Sequence, residues 1–176
     1  YLYDFEDYDK LSMDIEVLMD VNNEYDLILY SRLPTRRLIE KVDLSRLEHY
    51  WITNNESATS IKPSFPDIIK SIKTHDITSN RIYFLDGLEY LYDNTDKDLL
   101  LLQLVTFADD VKMKNHVVVY CINSLAFDSD WIIKLRHLTE KLEVKTPNLT
   151  SFDTEISETD ESSPIDENEL QFELAI

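Results

Sequence analysis

Short apolar runs recur along the chain, and segments of helical period lie between them. Residues 25–31 (YDLILYS), 49–53 (HYWIT), 81–87 (RIYFLDG) and 116–122 (HVVVYCI) have strand length and strand composition. YLY at 1–3 adds a first strand, and LEVK at 142–145 a short last one. LILY, IYFL and VVVY are continuous rather than alternating, as strands buried on both faces are. Between them, residues 10–21 place Leu11, Ile15, Leu18 and Met19 at helical spacing, with Asp9 or Ser12 as cap. Pro34 suits the first turn of a helix running to about Lys41. Further helices are predicted over 65–75, opened by Pro66 and Asp67, over 98–114 after Asp96 or Asp98, and over 128–142 after Asp128 or Ser129. Residues 54–62 read as a polar loop.

This alternation predicts a three-layer α/β/α domain over residues 1–145, with a mostly parallel sheet of about five strands. The character then changes. Residues 146–169 are rich in Ser, Thr, Asp and Glu and read as an acidic disordered linker. In 170–176, Leu170, Phe172, Leu174 and Ile176 alternate with polar or small residues. That pattern suits an added strand or a short docking helix, on this domain or on a partner.

Charge and composition narrow the function. The formal charge of −18 sits at the ends: residues 1–26 hold nine acids and one base, and residues 151–176 hold nine acids and no base. A nucleic-acid surface, which needs clustered Lys and Arg, is not expected. The single cysteine, Cys121, falls inside a core strand, where a buried structural thiol is expected, and a reducing, cytoplasmic setting is the default. The four histidines are far apart in sequence and show no zinc spacing. No apolar run approaches the roughly 20 residues that cross a bilayer. There is one glycine, Gly87, so neither a Walker A loop nor a Rossmann fingerprint can form. No cofactor is expected.

Ligands of a parallel sheet bind where its strands end. Arg32, Thr53, Asp86, Gly87 and Glu89 fall there. Asp86 with Glu89 has the oxygens to hold Mg²⁺, and Arg32, Arg36 and Arg37 could meet an anion. The alternative is that Asp86 accepts hydrogen bonds in a strand-to-helix turn while Gly87 lets the chain bend.

Three segments carry a family resemblance. A strand end with Arg32-Leu33-Pro34, the Trp51-Ile52-Thr53 piece and the DGLEYL core at 86–91 resemble an archaeal family of uncharacterised domains, over roughly residues 1–142. That family looks like a relative of RecA/KaiC-type ATPase domains that lacks the phosphate loop. The resemblance implies that Asp4, Glu6, Asp7 and Asp9 stand where an ATPase has glycines and a lysine. It also implies that Asp86 stands at the metal-binding strand end. The expectation is a non-catalytic signalling or assembly module that binds protein partners through its strand-end loops and tethered C-terminus. The alternatives are a divergent nucleotide binder using Asp86 with Mg²⁺, or a subunit of a homo- or hetero-oligomer that completes a partner's ATPase site in trans through Arg36 and Arg37.

Overall fold

The computed structural model describes residues 1–75, 79–114 and 116–144. The expected linker at 146–169 and the apolar segment Leu170, Phe172, Leu174 and Ile176 lie outside the described residues. Six strands alternate with helices: β1 Leu2–Asp4, β2 Asp26–Ser31, β3 Glu48–Ile52, β4 Ser60–Ile61, β5 Arg81–Asp86 and β6 Val117–Ile122. The helices are α1 Tyr8–Val21, α2 Thr35–Leu38, α3 Phe65–Ile72, α4 Leu88–Asn94, α5 Lys97–Lys112 and α6 Ser129–Leu138. All strand pairs are parallel, in the order β1-β6-β5-β2-β3-β4.

Successive residues of each central strand point to opposite faces. Leu27, Leu29, Ile82, Phe84, Val119 and Cys121 pack with α1 and the α2 region, against Leu11, Ile15, Leu18, Leu38 and Val42. Their neighbours Ile28, Tyr30, Tyr83, Leu85, Val118 and Tyr120 pack on the other face with side chains of α3, α4, α5 and α6. The continuous apolar runs are therefore the mark of a sheet covered twice. Each fully buried side chain of this kind is worth about 1.5–3 kcal/mol relative to exposure.

Local chemistry fixes the helix starts. Asp7 caps α1 by accepting the Lys10 N–H at 2.8 Å, so the helix begins before the expected Asp9 or Ser12 cap. Asp96 caps α5, accepting the Leu99 N–H at 2.8 Å. Ser64 caps α3 ahead of Pro66.

Several expected bounds are corrected. The polar stretch 54–62 contains β4, a two-residue edge strand opposite Trp51 and Ile52, so the sheet has six strands. The helix after Pro34 ends at Leu38 rather than Lys41, and Val42 then drops into the core. Helix α6 closes at Leu138, residues 142–144 of the LEVK stretch form no strand, and one bridge pairs Leu2 with Lys141 just before them. No described helix is long and apolar enough to cross a membrane.

Tertiary pairing also changes the meaning of the acidic start. Of the nine acids in residues 1–26, Asp4 meets Arg136, Asp9 meets Lys41, Asp14 meets Lys10, Asp20 meets Arg46 and Asp26 meets Arg81. Four of these five cations come from later in the chain. Most of these pairs are exposed and add little stability, Asp14 being the buried exception, but together they neutralise much of what reads in sequence as an acidic block.

Candidate functional site

The strand order reverses its sense between β2 and β5. From β2 the chain moves outward to β3 and β4, and from β5 it moves the other way to β6. Ligands of open α/β sheets bind in the crevice at such a switch point. Tyr30 pairs with Leu85 across these two strands, which brings Ser31 and Asp86 to the next rung.

Asp86 is 1% exposed. Its Oδ2 accepts the Ser31 hydroxyl at 2.5 Å, and the Tyr8 hydroxyl lies 3.3 Å from both carboxylate oxygens. The Gly87 backbone N–H also donates to it. Three donors from β2, α1 and the start of α4 thus surround one carboxyl. Burial pushes its pKa up to about 7, and the neighbouring Glu89 adds to the rise, while Ser31, Tyr8 and Gly87 oppose it. The Tyr8 phenol is pushed up in turn, first by burial and then by Asp86. Cys121 is 0% exposed, and burial raises its thiol well above the ordinary range, so it is inert as a nucleophile.

Gly87 is required here for two reasons. Its φ is +93°, and a Cβ there would fall 2.4 Å from Cγ of Arg32. The Arg32 stem therefore lies across the turn. Its Nη1 donates to the Ile52 carbonyl at 2.7 Å, and its guanidinium stands 4.3 Å from the Tyr90 ring centroid. The Arg32 carbonyl accepts the Trp51 indole N–H at 3.2 Å. The three sequence segments SRLP, YWIT and DGLEYL are thus parts of one contact.

The remaining expected site residues are dispersed. Glu89 accepts the Asn123 N–H at 2.9 Å, across the end of β6, and burial raises its carboxyl. Thr53 is buried and accepts the Asn55 N–H at 3.1 Å. Arg36 and Arg37 are exposed on α2 and make no ion pair among the described residues. Asp86 and Glu89 consequently do not form an open pair of oxygen ligands. Both Asp86 oxygens face donors of the protein and Glu89 Oε1 accepts from Asn123, so the two do not fit Mg²⁺ as they stand. Among the described residues, no three His, Cys, Asp or Glu side chains are placed to hold a metal ion.

Sequence reasoning missed Tyr8, Ser31 and Asn123 as partners of the acidic residues. Tyr8 lies 78 positions from Asp86, and nothing local to either residue signals the contact. Ser31 was legible as a strand end, but its pairing with Asp86 depends on β2 lying beside β5.

Residues 8–138 match the profile of the family described as protein of unknown function (DUF835), about three quarters of the chain, and the chain belongs to that family. A search among curated proteins finds no match.

Proposed function

We propose that this chain is a non-catalytic signalling or assembly module, built on a nucleotide-binding type of fold that no longer serves a nucleotide. The observation that carries the reading is the contact of Tyr8 with Asp86 at 3.3 Å. A working Mg²⁺–nucleotide site shares its metal between a strand-end carboxylate and substrate phosphates. Here the first residue of α1 puts a phenol on that carboxylate, and Ser31 takes a further position. The turn before α1 contributes acid rather than glycine: Asp7 caps the helix, and Lys10 is drawn to Asp14, which also accepts the Tyr3 hydroxyl. Carboxylates near a helix start repel phosphate instead of attracting it. What the domain offers a partner is a rigid strand-end surface carrying Arg32, Tyr90 and Trp51.

Titration of MgATP and MgGTP into the purified chain by calorimetry tests this, with Asp86→Ala as control. The expected outcome is no saturable heat up to millimolar nucleotide. Micromolar binding that disappears in Asp86→Ala would instead make the chain a divergent nucleotide binder. A second reading is favoured by Arg36 and Arg37, exposed cations with no ion pair among the described residues. In that reading they complete a partner's ATPase site in trans.

A further inference from the structure

The carboxyl ends of β1 and β6 border an open groove of about 690 Å³, lined by Asp4, Phe5, Glu6, Asn123, Leu125 and Arg136 among others. Its size is that of a ligand or peptide site. Its walls are built in advance. The Asp4 carboxylate accepts the Ser124 N–H at 3.0 Å and pairs with Arg136 at 2.9 Å, which joins β1, the turn after β6 and α6. The Asn123 amide donates to the Glu6 carbonyl at 3.4 Å, and its oxygen accepts the Leu125 N–H at 3.1 Å.

Three features of the groove define what would fill it. The first is backbone. Tyr1 and Phe5 hydrogen-bond toward β6, through the Tyr120 N–H on the Tyr1 carbonyl and the Phe5 N–H on the Ile122 carbonyl. By alternation Leu2 and Asp4 face the outer edge. Leu2 is paired there, with the Glu140 carbonyl and the Leu142 N–H, both at 2.8 Å. Among the described residues the outward backbone N–H and carbonyl of Asp4 meet no backbone partner, so the ladder stops one rung early. The second is apolar surface. Leu125 stands on the rim with 93% of its surface exposed, above the buried Leu2 and Phe5. The third is charge. Arg136 is matched by Asp4 and Lys141 by Glu143, while Glu6 has no ion pair among the described residues. The unmatched charge of the groove is negative, on a chain of net charge −18.

We propose that this groove is a docking site for an extended segment of a partner protein, which adds to the β1 edge with an apolar side chain over Leu125 and a basic one against Glu6. Strand addition of this kind draws affinity from main-chain hydrogen bonds and selectivity from alternate side chains. The proposal rests on the reading of the chain as a partner-binding module and adds a second surface to the one around Arg32, Tyr90 and Trp51. Residues 151–176, with nine acids and no base, have the wrong sign for Glu6.

The test uses the full chain and two blocked hexapeptides, one alternating lysine with leucine and one alternating glutamate with leucine. Binding is followed by calorimetry and by amide chemical shifts. The expected result is saturable binding of the basic peptide, with shifts centred on Asp4, Glu6 and 123–125. Leu125→Asp and Glu6→Lys are surface changes that leave the core intact, and each weakens that binding at least tenfold. Glu6→Lys gains affinity for the acidic peptide. No saturable binding, shifts elsewhere, or equal affinity in Glu6→Lys overturns the proposal. A concentration-dependent dimer in light scattering that Leu125→Asp abolishes also overturns it, by making the occupant a second copy. Nucleotide binding at Asp86 would sink the non-catalytic reading while leaving the peptide result to stand or fall by itself.

Discussion

At the carboxyl end of β5, Asp86 is buried among donors supplied by β2, α1 and the following turn. At the amino ends of β5 and β6, Arg81 Nη1, His75 Nδ1 and His116 Nδ1 are buried with no hydrogen-bond partner among the described residues. The two regions share strands, yet the Asp86 carboxyl is ringed by donors while each of these three nitrogens has no partner among the described residues, although Arg81 also faces Asp26 through Nε at 3.8 Å. At the amino end the two imidazoles are held by ring packing: Tyr83 stacks on His75 with centroids 6.1 Å apart and meets His116 edge-on at 5.8 Å. His75 keeps one polar contact, Nε2 to the Tyr50 hydroxyl at 3.1 Å, and Glu48 stands 4.0 Å away. A polar group engaged by donors from several elements belongs to a preorganised site, whereas one held by ring packing belongs to the core. This is why the switch-point crevice, and not the histidine-rich end, is the functional candidate.

The comparison breaks most sharply at Gly87. Gly87→Ala meets both a φ of +93° and the Arg32 stem, so the variant is expected to lose about 2–4 kcal/mol of unfolding free energy. Denaturant melts would show it, and a loss below about 1 kcal/mol would mean that the crevice is far softer than its geometry suggests.

The two regions also respond to pH with opposite signs. The Asp86 carboxyl titrates near 7 when folded and near its ordinary 3.8 when unfolded. The unfolded chain therefore releases this proton first, and the destabilisation grows as pH rises from about 4 to 7 and is complete above that range. Asp86→Asn removes the effect. It is expected to stabilise the chain at pH 8 by on the order of 2 kcal/mol, less whatever the Ser31, Tyr8 and Gly87 donors lose, with the gain fading by pH 4. A stability loss in Asp86→Asn at pH 8 that persists unchanged at pH 5 would show that hydrogen bonding outweighs desolvation there.

Burial lowers the pKa of His75 and His116 from the ordinary 6.5, and lowers His49 to about 4. Their contribution is intact above pH 6.5 and is lost as pH falls through the lowered values, because the unfolded chain takes up these protons first. The His75→Gln, His116→Gln double variant is expected to flatten the acid limb of the stability curve below pH 6.5. An unchanged limb would assign it to His49, whose Nδ1 contacts the Thr35 hydroxyl at 3.2 Å.

Much of this architecture is legible in the sequence because burial on both faces writes itself into consecutive apolar residues. Thus 27–30, 82–85 and 117–120 could only be central strands of a covered sheet. Asp86 and Gly87 were legible as a strand end and a turn because the apolar run stops there at a glycine, and the structure finds that glycine at positive φ. The short β4 was not legible, since two residues of edge pairing leave no periodicity. Nor was the early end of α2, where burial of Val42 overrides helix propensity. The surroundings of the two acids were not legible for a similar reason: Asp86 and Glu89 lie three residues apart, but Asp86 accepts from Ser31 at the end of β2 and Glu89 from Asn123 at the end of β6.

By itself the sequence determined the fold class, the absence of a glycine phosphate loop and the place of the Asp86–Gly87 strand end, because these follow from local pattern and residue type. Only the tertiary structure decided what surrounds Asp86 and how the acidic start is neutralised. Those outcomes depend on contacts such as Tyr8 with Asp86 and Asp4 with Arg136, across 78 and 132 positions. They exist only once parallel crossovers bring distant strand ends to one edge of the sheet.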